Sequence, residues 1–319
     1  MTYIRIFVAN LILLAGLVSC NSQNSPKTGD IDKTPVTESP LSVFPKPTKK
    51  PTETPSPTKQ HFAYTATKTL TPLLSPTYTL TPTKPTCLSE GGRIEIKAIQ
   101  SKLLPKRLTY RVYTPPCYDQ YINQDYPVLY LIHGQTYNDD QWDRLGVDET
   151  ADALIKSAEI PPLLIIMPRD RIWKQPPENN FGKAVISDLV PIIDASYRTI
   201  PERKYRAIGG LSWGANWAIH LGLTNWRIFG RIGAHSLPVF STDGPRLSGW
   251  LDAIPSNELP RMYLDAGDHD RWLQYTQWFE DLLTQKGIPH EWHLYPGYHN
   301  EDYWSSHVED YLRWYTKDW

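Results

Sequence analysis

Two unbroken apolar runs, Val128-Leu129-Tyr130-Leu131-Ile132 and Leu163-Leu164-Ile165-Ile166-Met167, constrain the fold most strongly. A strand with one face in water alternates polar and apolar residues, so runs without alternation belong to strands buried on both faces. Such strands need helices above and below them. Strand-like runs lie at Arg93–Ile99, Leu108–Tyr113, Val128–His133, Leu163–Met167, Tyr205–Ile208, Phe229–Gly233, Arg261–Ala266 and Glu291–Tyr295. Helical patterns fall between them at Glu149–Ser157, Lys183–Tyr197, Ala215–Leu223 and Asp270–Lys286, and after the last at Asp302–Tyr315. The first two strands follow each other directly, and strand and helix alternate thereafter. That order predicts an α/β domain from Cys87 to Trp319, with a mainly parallel central sheet flanked by helices. In such sheets ligands bind at the carboxyl ends of the strands.

One of those ends carries Gly210-Leu211-Ser212-Trp213-Gly214, between the strand-like run and the helix that opens at Ala215. Gly-x-Ser-x-Gly in a strand–turn–helix setting is the pattern of a nucleophile elbow. The serine projects its Oγ out of the sheet, and glycines on either side let strand and helix approach without a Cβ clash. The helix N-terminus beneath favours developing negative charge.

An activated serine needs a base within hydrogen-bond reach and an acid that orients the base. After Ser212, acids occur in Asp265-Ala266-Gly267-Asp268-His269-Asp270 and a histidine follows the next strand in Pro296-Gly297-Tyr298-His299. Ser, then Asp, then His is the α/β-hydrolase order. The acid should lie clear of the strand end, which favours Asp270, then Asp268, and leaves Asp265 within the strand. His299 sits in a loop able to reach the serine, whereas His290, His293 and His307 fall on strand or helix positions suited to packing. The oxyanion hole should be the backbone N–H of Trp213 and one from the loop His133-Gly134-Gln135-Thr136-Tyr137. Gln135 is the choice there, with Gly134 permitting the tight turn. Aromatics crowd these loops, and Tyr137, Trp142 and Trp304 are the candidates for stacking on a substrate ring. No metal-ligand cluster and no phosphate-cradling glycine loop is present, so no cofactor or metal is expected.

The remaining chain has a different character. Residues 1–19 hold a single Arg5 and an apolar run, Ile6 to Val18, too short to span a bilayer comfortably and suited to a signal peptide. Ser19-Cys20 at its end resembles the bacterial lipobox, which makes Cys20 the expected lipid acceptor and implies export to a bacterial cell surface or periplasm. Residues 20–86 are rich in Pro, Thr, Ser and Lys without hydrophobic periodicity, as in a disordered tether. In an exported chain the two other cysteines, Cys87 and Cys117, are expected to form a disulfide. A net charge of −1 gives no nucleic-acid footprint.

The folded part resembles the esterase D-like family of α/β-hydrolases, which includes enterochelin, feruloyl and acetyl xylan esterases, S-formylglutathione hydrolases and mycolyltransferases. The resemblance runs from about Leu108 to the C-terminus. It rests on Tyr126 to Gly134 with Trp142, on Asp188 to Asp194 with Tyr197-Arg198-Thr199, on Gly209 to Gly214, on Ala266 to Asp270, and on Pro296 to His299 with Trp304. It implies an α/β-hydrolase fold with Ser212 as nucleophile, Asp270 as acid and His299 as base. Trp213 and Ala215 depart from the family's usual Met or Ala followed by Gly, and a bulky Trp213 would wall the acyl pocket. The implied activity is a serine carboxylesterase acting on a small-molecule or polysaccharide ester of carbohydrate or siderophore type. The alternatives are acyl transfer of the mycolyltransferase kind and a catalytically silent binding module.

Overall fold

The structure is a computed structural model that describes residues 85–319. The signal run, Cys20 and nearly all of the Pro/Thr-rich tract lie outside the described residues. In chain order the elements are β1 (Arg93–Ile99), β2 (Leu108–Thr114), β3 (Val128–Ile132), α1 (Gln141–Arg144), α2 (Val147–Lys156) and β4 (Leu164–Pro168). Then come α3 (Phe181–Ala184), α4 (Val190–Ser196), β5 (Arg206–Leu211), α5 (Trp213–Thr224), β6 (Arg231–His235) and α6 (Gly244–Asp252). The chain closes with β7 (Arg261–Gly267), α7 (Leu273–Gln285), β8 (Glu291–Tyr295) and α8 (Glu301–Thr316).

The eight strands form one sheet in the order β1-β2-β4-β3-β5-β6-β7-β8. β1 and β2 make an antiparallel hairpin, β2 runs antiparallel to β4, and every pairing from β4 to β8 is parallel. The two apolar runs behave as their composition requires. All residues of β3 and β4 are buried, and successive side chains feed opposite cores. Val128, Tyr130 and Ile132 join one core with α3 to α7, while Leu129 and Leu131 join the other with α1, α2 and α8. Each large apolar side chain so buried contributes on the order of 1.5–3 kcal/mol. α8 shows the matching helical period, burying Trp304, Val308, Tyr311, Leu312 and Tyr315 against the sheet.

All eight expected strands are present, with ends shifted by a few residues. α1 and α6 were not expected. α6 holds Gly244, Pro245 and Gly249, which weaken its helical signal in sequence. The expected helix at 183–197 is broken in the middle by a π-helical turn over Val185–Leu189. Pro191 has no N–H and its ring crowds the carbonyl four residues back, so the preceding turn widens, and Val190 N–H bonds Val185. α7 begins at Leu273 and not at Asp270, because the Asp270 carboxylate accepts the Trp272 N–H at 2.7 Å and holds the chain in a turn. Cys87 and Cys117 are joined by a disulfide, tying the short turn before β1 to the turn that follows β2.

Candidate active site

β5 leads into a reversal that the chain can make only with small residues around it. Ser212 sits between β5 and α5 at φ 53° and ψ −117°, a conformation a non-glycine residue keeps only when its surroundings enforce it. A methyl on Gly214 would lie 2.0 Å from the Ile132 carbonyl oxygen of β3, and one on Gly210 would lie 2.4 Å from the Gly214 carbonyl. The Gly-x-Ser-x-Gly spacing is therefore a close-approach requirement between β3, β5 and α5. The Ser212 N–H is held by the His235 carbonyl at 2.8 Å.

The elbow delivers the Ser212 hydroxyl to His299, whose Nε2 accepts it at 2.8 Å. His299 Nδ1 in turn donates to both oxygens of Asp270, at 2.9 and 3.0 Å. Asp270 lies in the loop between β7 and α7, and His299 in the loop between β8 and α8, so the carboxyl ends of β5, β7 and β8 converge on one point. Burial raises the Asp270 pKa, yet hydrogen bonds from His299, Ser236 and the Trp272 N–H, together with the His299 charge, hold it below its ordinary value. The other candidates go elsewhere. Asp268 is exposed and accepts the Gly297 N–H at 2.9 Å, so it shapes the turn that carries His299. Asp265 is buried within β7 and pairs with His235 at 2.6 Å. His290 is held by Glu280 and the Ile288 carbonyl, while His293 and His307 stack on tyrosines.

The two expected oxyanion donors border the same cleft as Ser212 and His299. Trp213 N–H belongs to the first turn of α5, where donors have no partner inside the helix. Gln135 occupies the second position of a turn closed by Tyr137 N–H on the Gly134 carbonyl at 3.3 Å. The left-handed residue of that turn is Thr136, at φ 70°, and not Gly134. Gly134 is needed for approach: a methyl there would stand 3.0 Å from Leu211 Cδ1 and 3.6 Å from Ser212 Cβ.

Three side chains that sequence reasoning passed over hold this arrangement. Gln141 is fully buried; its Oε1 accepts the Gly134 N–H at 2.8 Å and its Nε2 donates to Glu301 at 3.0 Å. Glu301, two residues past His299, is gripped by both terminal nitrogens of Arg144. The oxyanion turn and the histidine loop are thus tied together. Asp170 is buried and accepts from Asn179, the Ile172 N–H and the indoles of Trp213 and Trp217 at 3.2 and 3.0 Å. Ser236, at φ 55°, accepts the Trp304 indole N–H at 3.1 Å and bonds Asp270. A polar residue just past a central strand's carboxyl end was the available signal for Asp170 and Ser236. Gln141 offered none, since its partners lie 7 and 160 residues away.

Residues 101–315 match the family described as "Putative esterase". The chain belongs to this esterase family. Over 135 residues it is 32% identical to an endo-1,4-β-xylanase/feruloyl esterase of Xylanibacter ruminicola, covering 39% of this chain and 18% of that one. It is 28% identical over 229 residues to an esterase of Mycobacterium tuberculosis, covering 54% and 48%. The chain therefore spans less than half the length of either curated relative. Among solved structures, a ferulic acid esterase overlays with TM-score 0.64 at 24% identity, covering 71% of this chain and 98% of that one. A feruloyl esterase module from Clostridium thermocellum in complex with sinapinate overlays with TM-score 0.62 at 17% identity, covering 73% and 93%. These last two likenesses are of fold: the α/β-hydrolase fold.

The chain presents a cleft of about 920 Å³ lined in part by Ser212. Trp213 walls it, its ring edge-on to Phe240 at 4.7 Å and its indole fixed by Asp170. Tyr137 lines the opening and is exposed. Trp142 does not face the cleft: it is 1% exposed, donates its indole N–H to the Ile132 carbonyl and packs edge-on to His235. The expectation that it stacks on substrate is therefore corrected, because its donor is spent on β3 and its buried ring packs against His235 and Tyr311. Trp304 lines the cleft but is almost fully buried, packing at 5.0 Å against His299 while its N–H serves Ser236.

Proposed function

We propose that this esterase is a cell-surface serine carboxylesterase that cleaves acyl esters of carbohydrate or siderophore type through Ser212, His299 and Asp270. One observation carries the reading: hydrogen bonds run without a gap from Ser212 Oγ through His299 to Asp270, at the floor of an open cleft. In this mechanism Ser212 Oγ attacks the ester carbonyl carbon while His299 Nε2 takes its proton. The carbonyl electron pair moves onto oxygen, where the Trp213 and Gln135 N–H groups stabilise it. Collapse of the tetrahedral species expels the alcohol, which leaves with the proton from His299. Water then attacks the acyl-enzyme by the same route and frees the acid.

The carbohydrate side draws support from the relative whose name joins xylanase and feruloyl esterase functions. The surface location rests on the leader-like residues 1–19 and on Cys20 as lipid acceptor, with residues 21–86 as a tether. The Cys87–Cys117 disulfide suits an oxidising compartment outside the cytosol. A panel of p-nitrophenyl acyl esters, followed by acetylated and feruloylated oligosaccharides, tests the activity. Turnover by the wild type and its loss in Ser212→Ala are expected; equal turnover in the two would contradict the mechanism. Fractionation of a Cys20→Ser variant tests the anchor, and unchanged membrane retention of a mature-length protein would contradict it.

A further inference from the structure

One wall of the cleft carries aromatic surface that neither the triad nor the acyl pocket uses. α7 packs on the sheet through Thr276, Phe279 and Leu283, with Thr276 Oγ1 bonded to the Leu237 carbonyl at 3.0 Å. That anchoring fixes the helix rotation. It leaves Tyr275 and Trp278 38% and 44% exposed, and both line the cleft together with Trp272. Tyr275 and Trp278 stand three residues apart on α7 and are neighbours on its surface, while Trp272 precedes the helix and lies beside Tyr275. Trp272 and Tyr275 lie 5.7 Å apart, and the Arg271 guanidinium sits 5.6 Å over the Trp272 ring. A single exposed aromatic is ordinary, but three neighbouring ones lining the cleft that holds Ser212 form a surface suited to binding.

We propose that Trp272, Tyr275 and Trp278 form a sugar-stacking track that holds the glycan part of an ester whose carbonyl lies at Ser212. The inference rests on the esterase reading above and deepens it by naming the alcohol side. The track begins two residues past Asp270 and lines the same cleft as Ser212, so it is placed to meet the part of a substrate beyond the scissile bond. A fatty chain gains from a groove that removes it from water on all sides, whereas these rings are open to solvent along one side. A sugar ring fits such a surface: its C–H face covers an indole and its hydroxyl rim stays hydrated. The polar side chains of Gln175, Asn300 and Asp302 line the same cleft and can bond those hydroxyls. In this reading the acyl group is left to Trp213 and Phe240, which line the same cleft and pack edge-on at 4.7 Å.

Two measurements test the track, and only one depends on turnover. In the first, full-length wild type and Tyr275→Ala/Trp278→Ala are compared on an acylated oligosaccharide and on the p-nitrophenyl ester of the same acid. The ratio of the two kcat/KM values should fall by at least about tenfold in the variant, mainly through KM, with Trp278→Phe recovering most of it. A ratio that stays within about twofold would overturn the proposal. The second is calorimetric titration of the Ser212→Ala protein with unesterified xylotetraose, cellotetraose and chitotetraose. Binding of one of these, lost when Tyr275 and Trp278 are also replaced by Ala, supports the track. No binding, or binding indifferent to the replacements, overturns it even where the esterase reading holds, and loss of esterase activity alone leaves this titration informative.

Discussion

Two of the His–Asp pairs among the described residues each join neighbouring strands, and they have opposite fates. His299 and Asp270 come from the loops after β8 and β7; His235 and Asp265 come from β6 and β7 themselves. Both place Nδ1 against a carboxylate, at 2.9 and 2.6 Å. They differ in what the other nitrogen meets. His299 Nε2 faces the Ser212 hydroxyl beside a cleft, whereas His235 Nε2 accepts the Tyr315 hydroxyl at 3.0 Å in full burial. Asp265 is saturated further by the hydroxyls of Tyr303 and Tyr311. Burial, and then the Asp265 charge, push both tyrosines well above their ordinary pKa, so they remain donors. A His–Asp pair is therefore not a catalytic signature by itself. Access and the partner of Nε2 decide, and the inner pair serves to dock α8, the helix that begins just after His299.

The comparison breaks most easily at the acids. Asp270→Asn should lower kcat by about 10⁴-fold with the fold intact, because His299 then favours the wrong tautomer. Asp268→Asn, touching only the turn, should cost far less; the reverse order in steady-state kinetics would reassign the acid. Asp265→Ala should do the opposite of Asp270→Asn. It strands the His235 N–H and two tyrosine hydroxyls in the core, so urea unfolding should show a loss of about 3–5 kcal/mol. Turnover per folded molecule should change little beside the Asp270 effect. A large kinetic loss without destabilisation would erase the distinction between the two pairs.

Smaller effects sharpen the outer pair. Gln141→Leu removes the link between the Gly134 N–H and Glu301. A looser oxyanion turn should lower kcat by about ten- to a hundredfold with KM nearly constant, since the oxyanion forms only in the transition state. A change confined to KM would place Gln141 in substrate binding instead. The smallest effect is on acid stability. Because the folded-state pKa of Asp270 is depressed, its stabilisation is complete above the ordinary value of 3.8 and fades as pH falls towards the lower folded value. The melting-temperature gap between wild type and Asp270→Asn should therefore be flat near neutrality and shift against the wild type below about pH 4. A gap that stays constant down to pH 2 would contradict the assigned shift.

Much of this molecule was legible in its sequence, for reasons the structure makes plain. The sheet could be read because doubly buried strands carry their own pattern in Val128–Ile132 and Leu163–Met167. The elbow could be read because a close approach of backbones admits only glycine at 210 and 214. Asp270 and His299 followed from their order and from their position past strand ends. What stayed hidden depends on contacts between distant segments. Trp142 is aromatic and near a site loop, yet its neighbours are Ile132, His235 and Tyr311, which no local pattern reports. Gln141, Ser236 and Asp170 act through partners from other elements, and Trp272, Tyr275 and Trp278 gain their meaning only from facing the cleft. α6 was hidden by its own glycines and proline.

The central claim is that Ser212 alone, activated by the outer pair, becomes covalently acylated. Labelling the full chain with a fluorophosphonate and mapping the adduct by peptide mass spectrometry tests it most directly. A single phosphonyl adduct on Ser212 is expected, absent in Ser212→Ala, strongly slowed in Asp270→Asn, and retained by the folded fraction of Asp265→Ala. An adduct on another residue, or undiminished labelling of Ser212→Ala, would contradict the account.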